Sequence, residues 1–211
     1  MHLLDLSLDH QEHMTKYLSE KDNHNLQQVC RRLYQEVWNY SVKSMSFIRY
    51  SNYKVISKYI NIVPVLLCLN LSYTQISDTG LKILELVTNL SSLNLSGTKI
   101  SDIGLKTVQL LANLSSLNLY TTNISDTGLK SLELLTNLSS LNLSYTQISD
   151  RGLKSLELLT NLSCLNLSGT KISDTGLKIV QILTNLSCLN LSYAQISDRD
   201  LKSLELLTNR S

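Results

Sequence analysis

The chain has 211 residues, 43% of them hydrophobic, and 19 Lys and Arg against 17 Asp and Glu give it a formal net charge of +2. That length suits one or two domains with ample core, and a balance so near neutral lacks the clustered basic footprint that nucleic acid or an anionic membrane needs, so neither is expected as a partner. No window of about 20 uninterrupted apolar residues occurs, and "MHLLDLSLDHQEHM" has no basic segment followed by an apolar core. The expected compartment is the cytosol, with Cys30, Cys68, Cys164 and Cys188 reduced and outside any secreted disulfide framework.

The first forty residues carry no internal repeat. Leu26, Val29, Cys30, Leu33, Tyr34, Val37 and Trp38 fall at helical spacing, with Asp22 placed to cap that helix. Together with Leu6, Met14, Tyr17-Leu18, Ser19 and Lys21-Asp22, they set out a pattern that resembles the F-box, a short helical module that docks onto the Skp-type adaptor of cullin-RING ubiquitin ligases. Residues 1–41 are accordingly expected to form a small all-helical module. The resemblance implies that Leu6, Met14, Leu18, Leu26, Val29, Cys30 and Leu33 face the adaptor. Ser7, Asp9, Asn23 and Leu33 depart from the family's proline, glutamate, leucine and aromatic residue. The alternative is a helical cap that shields the first strand of a solenoid.

From Leu66 onward the sequence repeats every 24 residues. "LSSLNLSGTKISDIGLKTVQLLAN" at Leu90 is followed by close copies at Leu114, Leu138 and Leu162, and units beginning at Leu66 and Leu186 bring the count to six over 66–211. One unit further back, Val42, Met45 and Phe47 keep the register of Leu66, Leu69 and Leu71, which predicts a degenerate capping repeat over 42–65 with a seventh strand.

Each unit has the same physical plan. Leu93 and Leu95 alternate with Ser92, Asn94 and Ser96, the period of a short half-buried strand. Ser101-Asp102 offers side-chain acceptors to a helix start, and Leu105, Val108, Leu110 and Leu111 form the expected buried stripe. Asn113 suits a left-handed residue at the helix end. Thr74, Thr98, Thr122, Thr146 and Thr170 form a buried polar column that must bond loop backbone of its own or an adjacent unit. Its break at Ala194 suggests that the last unit has no successor to bond. The pattern LxxLxLxxTxISDxGLxxL resembles the leucine-rich repeats of F-box-type proteins and related bacterial effectors. The fold class implied is α/β: a solenoid with a curved parallel sheet, short helices on its convex side, and the helical module in front.

Outward strand positions define columns on the concave side, the usual binding surface of such folds. The expected client-binding residues are Tyr73, Tyr120, Tyr145 and Tyr193 as anchors, with Asn94, Asn118, Asn142, Lys99 and Lys171 around them. A uniform Asn/Ser face that serves only solubility is the competing reading. The units at Leu66 and Leu138 share "SYTQISD" and those at Leu90 and Leu162 share "SGTKISD", the mark of a duplicated block of three units.

Catalysis is not expected. His2, His10, His13 and His24 all precede the repeats, and neither a P-loop nor a dinucleotide fingerprint nor zinc-ligand spacing is present. No cofactor and no metal are called for. The resemblance implies a substrate adaptor of an SCF-type ubiquitin ligase, bound to a Skp-type adaptor and a client protein, in host cytosol if the source is a bacterium or virus. Two alternatives stay open: a protein-binding scaffold or effector with no ubiquitin role, and self-association through an uncapped last repeat.

Overall fold

The computed structural model describes residues 44–46, 60 and 66–197. The chain divides into two compact units, Met1–Val42 and Lys43–Ser211. The adaptor-facing residues expected in the first, Leu6, Met14, Leu18, Leu26, Val29, Cys30 and Leu33, lie outside the described residues, as does most of the capping repeat.

Within the second unit the described residues form a single parallel sheet whose strand order is the chain order. The strands are β1 (Ser44–Ser46), β2 (Cys68–Asn70), β3 (Ser92–Asn94), β4 (Ser116–Asn118), β5 (Ser140–Asn142), β6 (Cys164–Asn166) and β7 (Cys188–Asn190). Every pair is in register at one repeat, as Leu93 opposite Leu117 shows. The same offset holds at the start, where Met45 stands opposite Leu69, so a strand occupies the position that the apolar register of 42–65 predicted. The leucine alternation explains the short strands. Leu93 and Leu95 are fully buried while Ser92 and Asn94 are half-buried on the other face. No single coil has enough apolar surface for a core; stacking supplies it.

Returning segments are helical but uneven. Seven-residue helices α1 (Asp102–Val108) and α4 (Asp174–Val180) follow β3 and β6. After β4 and β5, the four-residue helices α2 (Asp126–Leu129) and α3 (Asp150–Leu153) give way to 3-10 turns at Lys130–Leu132 and Lys154–Leu156. Ser101, Ser125 and Ser173 cap their helices by accepting from the N–H two residues on.

Two local expectations are corrected. Leu105, Val108 and Leu111 are buried, but Leu110 is 48% exposed. Both leucines follow the last helical residue, Val108: Leu110 N–H bonds the Thr107 carbonyl and Leu111 N–H the Val108 carbonyl, in a turn that leaves Leu110 outside and returns Leu111 to the core. The helix-ending asparagines are not left-handed either: among the described residues, the non-glycine positive φ values belong to Tyr73, Thr121, Tyr145 and Tyr193. Asn137, Asn161 and Asn185 instead donate side-chain N–H to the carbonyls of Ala112, Thr136 and Thr160 in the preceding coil.

The threonine column is buried and hydrogen-bonded, and each hydroxyl donates within its own coil. Thr98 reaches the Leu95 carbonyl at 2.6 Å, and Thr122 the Leu119 carbonyl at 2.7 Å. Want of a successor coil therefore does not explain Ala194, because these bonds never cross between coils.

What does cross is the aspartate of each Ser-Asp tandem. Asp78, Asp102, Asp126, Asp150 and Asp174 each accept from both the backbone N–H and the hydroxyl of the serine 23 residues on, in the next coil. For Asp126 and Ser149 the distances are 2.7 and 2.6 Å. The carboxylate needs room. A Cβ on Gly152 would collide with Asp126 Oδ1, which is why the tandem is followed two residues later by glycine.

Candidate binding face

Opposite the core, the sheet presents the second residue set of each strand, continued by the turn after it. The asparagines of this face are bound into that turn. Asn94 Oδ1 accepts from Ser96 N–H, Asn118 Oδ1 from Tyr120 N–H, and Asn142 Oδ1 from Ser144 N–H, all at 3.0 Å. Each is half-buried, with its side-chain oxygen engaged in that turn. In the next column Ser96, Ser144 and Ser168 are buried, and half-buried Tyr120 alone replaces serine with a large side chain.

The column after it decides how the tyrosines stand. Tyr73, Thr121, Tyr145 and Tyr193 have φ between 54° and 60°, and Gly97 and Gly169 have 65° and 66°. All occupy the third position of a turn closed, in the first coil, by Thr74 N–H on the Leu71 carbonyl at 3.2 Å. A left-handed residue there keeps its own N–H aimed at the next coil: Tyr73 N–H meets the Ser96 carbonyl at 2.7 Å, and Tyr145 N–H the Ser168 carbonyl at 2.8 Å. Glycine adopts this conformation freely, whereas for a residue with a Cβ it costs about 1–2 kcal/mol. Tyrosine stands in a strained position.

Its partner explains the arrangement. The Tyr73 ring lies against Gly97 so closely that a Cβ there would collide with Cδ1, and the Tyr145 ring covers Gly169 in the same way, 2.8 Å from where a Cβ would be. The duplicated three-coil block is thus a duplicated tyrosine-on-glycine contact. Tyr145 also meets Tyr120 edge to face, with ring centroids 5.7 Å apart and planes at 85°. Tyr73 and Tyr145 keep half of their surface exposed, and Tyr193 83%.

Lys99 and Lys171 are exposed on the outermost column, where the other coils carry neutral Gln75, Asn123, Gln147 and Gln195. Of the nine expected client-binding residues, Asn94, Asn118 and Asn142 lie on strands, and Tyr73, Lys99, Tyr120, Tyr145, Lys171 and Tyr193 lie in the segments that follow them. Sequence reasoning missed that Tyr73 and Tyr145 are locked by backbone conformation and by the next coil's glycine; the alternation of Tyr with Gly down one column was the available signal. It also missed a second surface. Leu86, Leu110, Leu134, Leu158 and Ile182 recur at the repeat spacing on the helical side, between 48% and 75% exposed. Among the described residues, no group of three or more His, Cys, Asp or Glu side chains is placed to hold a metal ion.

Residues 64–84, 88–108, 135–156, 159–178 and 183–204 match the family model described as leucine-rich repeat, together just over half of the chain. The chain belongs to the leucine-rich repeat family. The coil from Leu114 escapes the match although β4 pairs in register on both sides. Among solved structures, an internalin (inlF) from Listeria monocytogenes is 31% identical over 76% of this chain, with a TM-score of 0.62. An internalin C2 (inlC2) from the same species is 26% identical over 81%, with a TM-score of 0.55. The chain spans 44% of the first of these chains and 75% of the second. No curated protein matches it.

Proposed function

We propose that the chain is a non-catalytic protein-binding scaffold whose client lies across the open face of β2–β7. The observation that carries this is the row of tyrosines. Tyr73 and Tyr145 are held in a costly backbone conformation and backed by glycine, so their exposed rings are offered to a partner with little further entropy to lose. A face of tyrosine, serine, asparagine and glycine has the composition that antibody paratopes use for protein recognition. Alanine at both Tyr120 and Tyr145 tests it, with retained folding checked by circular dichroism. Loss of the proteins captured by the parent chain is expected; an unchanged captured set moves the site off this face.

A finer reading assigns the scaffold to ubiquitin ligation in the cytosol, as the client-recognition part of an SCF-type ligase. It is supported by the F-box-like spacing of Leu6, Met14, Leu18, Leu26, Val29, Cys30 and Leu33. Pull-down of the full chain with a purified Skp-type adaptor tests it. A folded chain that fails to retain the adaptor ends this reading and leaves the scaffold standing.

A further inference from the structure

Among the described residues, two thiols meet on the open face where every other coil junction has at most one. Cys164 and Cys188 are direct register partners on β6 and β7, so their side chains leave neighbouring parallel strands side by side toward the same face. Both are free, Cys164 half-buried and Cys188 exposed. Cys68 shares their column but stands beside Ser92 and Ser44. In-register neighbours in a parallel sheet have Cα atoms about 4.8 Å apart, inside the span of about 4.4–6.8 Å that a disulfide bridges.

We propose that Cys164 and Cys188 form a peroxide-sensitive dithiol that closes to a disulfide and staples the last described coil to its neighbour. The chemistry is balanced by hydrogen peroxide alone. The thiolate of one cysteine attacks a peroxide oxygen, breaking the O–O bond and leaving a sulfenic acid and water. The second thiol then displaces the sulfenic hydroxyl as a further water, so two thiols lose two electrons and two protons while one peroxide becomes two waters. Cys188 is the more accessible to the oxidant, and Cys164 sits at hand to resolve it. The Cys164 thiol is held above its ordinary pKa by its hydrogen bond with Cys188, by burial and by the charge of Cys188.

The staple falls where the core-facing leucines are least buried among the described coils. Leu189 and Leu191 are only half-buried, whereas their counterparts Leu165 and Leu167 are buried. A coil with less of its apolar surface buried opens more readily, and a covalent link across β6 and β7 opposes that opening.

The test treats the reduced full-length chain with hydrogen peroxide, followed by mass spectrometry of the intact chain and of its non-reduced peptides. The expected result is loss of two hydrogens per chain, mapped to a link between the peptides that contain Cys164 and Cys188 and reversed by reductant. Cys164→Ser and Cys188→Ser should each abolish that link, and Cys68→Ser should retain it. Amide exchange in the coil from Leu186 should slow on oxidation of the parent and not of either variant. Oxygen addition at Cys188 with no link, or links only between separate chains, overturns the proposal.

Discussion

The carboxylate of Asp126 takes both the backbone N–H and the hydroxyl of Ser149, one coil away, and the same double bond recurs at five successive coil junctions. Because each coil contacts only its neighbours, these junctions hold the array together end to end. Asp126→Ala leaves Ser149 without its acceptor at a half-buried site and is expected to cost about 1–3 kcal/mol. The equivalent change at Asp174, whose bonds to Ser197 are solvent-exposed, should cost less. Urea unfolding of the two variants gives the comparison, and equal losses would contradict it.

A second prediction concerns Tyr73 and Gly97. Gly97→Ala meets both a left-handed backbone and the Tyr73 ring, so a loss of about 1–2 kcal/mol is expected from the backbone alone, with the ring contact added. In a Tyr73→Ala background the ring part disappears. A double-mutant cycle should therefore return a coupling of about 0.5–1 kcal/mol, and an additive cycle would mean that the ring swings aside freely.

Leu134 and Leu135 are chain neighbours with opposite fates, 75% exposed and fully buried. Leu135→Ala should destabilise by about 2–5 kcal/mol through the cavity it leaves. Leu134→Ala should change stability by less than about 0.5 kcal/mol. Thermal or urea midpoints separate them readily.

The thiol pair makes a prediction about pH. Cys188 raises the Cys164 pKa, chiefly through their hydrogen bond, so at a given mildly alkaline pH Cys164 holds less thiolate than an ordinary cysteine. Removing that neighbour with Cys188→Ala should bring the thiolate form to lower pH. The alkylation rate of Cys164 measured against pH should shift downward in the variant, and an unmoved profile would argue against sulfur contact.

Much of this molecule is written in its period. Leucines at alternate positions announce the strands, and their 24-residue recurrence fixes the register down to Met45 opposite Leu69. Residues whose role depends on a neighbouring coil were harder to read. Ser101-Asp102 looks like a cap for its own helix; Ser101 is one, but Asp102 serves Ser125 in the coil beyond. Leu110 and Leu111 look alike in composition and differ only in where the turn after Val108 leaves each of them. Of the binding face, the tyrosines and asparagines were visible as columns. Their conformations were not, because a positive φ at tyrosine runs against local preference and is imposed by the turn and by the next coil.

The recurrence of identical bonds at each junction also makes length a separable property of this protein. Deleting residues 114–137 would set Asp102 beside Ser149 and Leu93 beside Leu141, partners of the same types as those lost. The left-handed column would then alternate strictly, Tyr73, Gly97, Tyr145, Gly169, Tyr193. Such a shortened chain is expected to fold with its junctions intact and its aromatic row closed up by one strand spacing, so the reach of the face is set by how many coils are inserted and not by the sequence of any one.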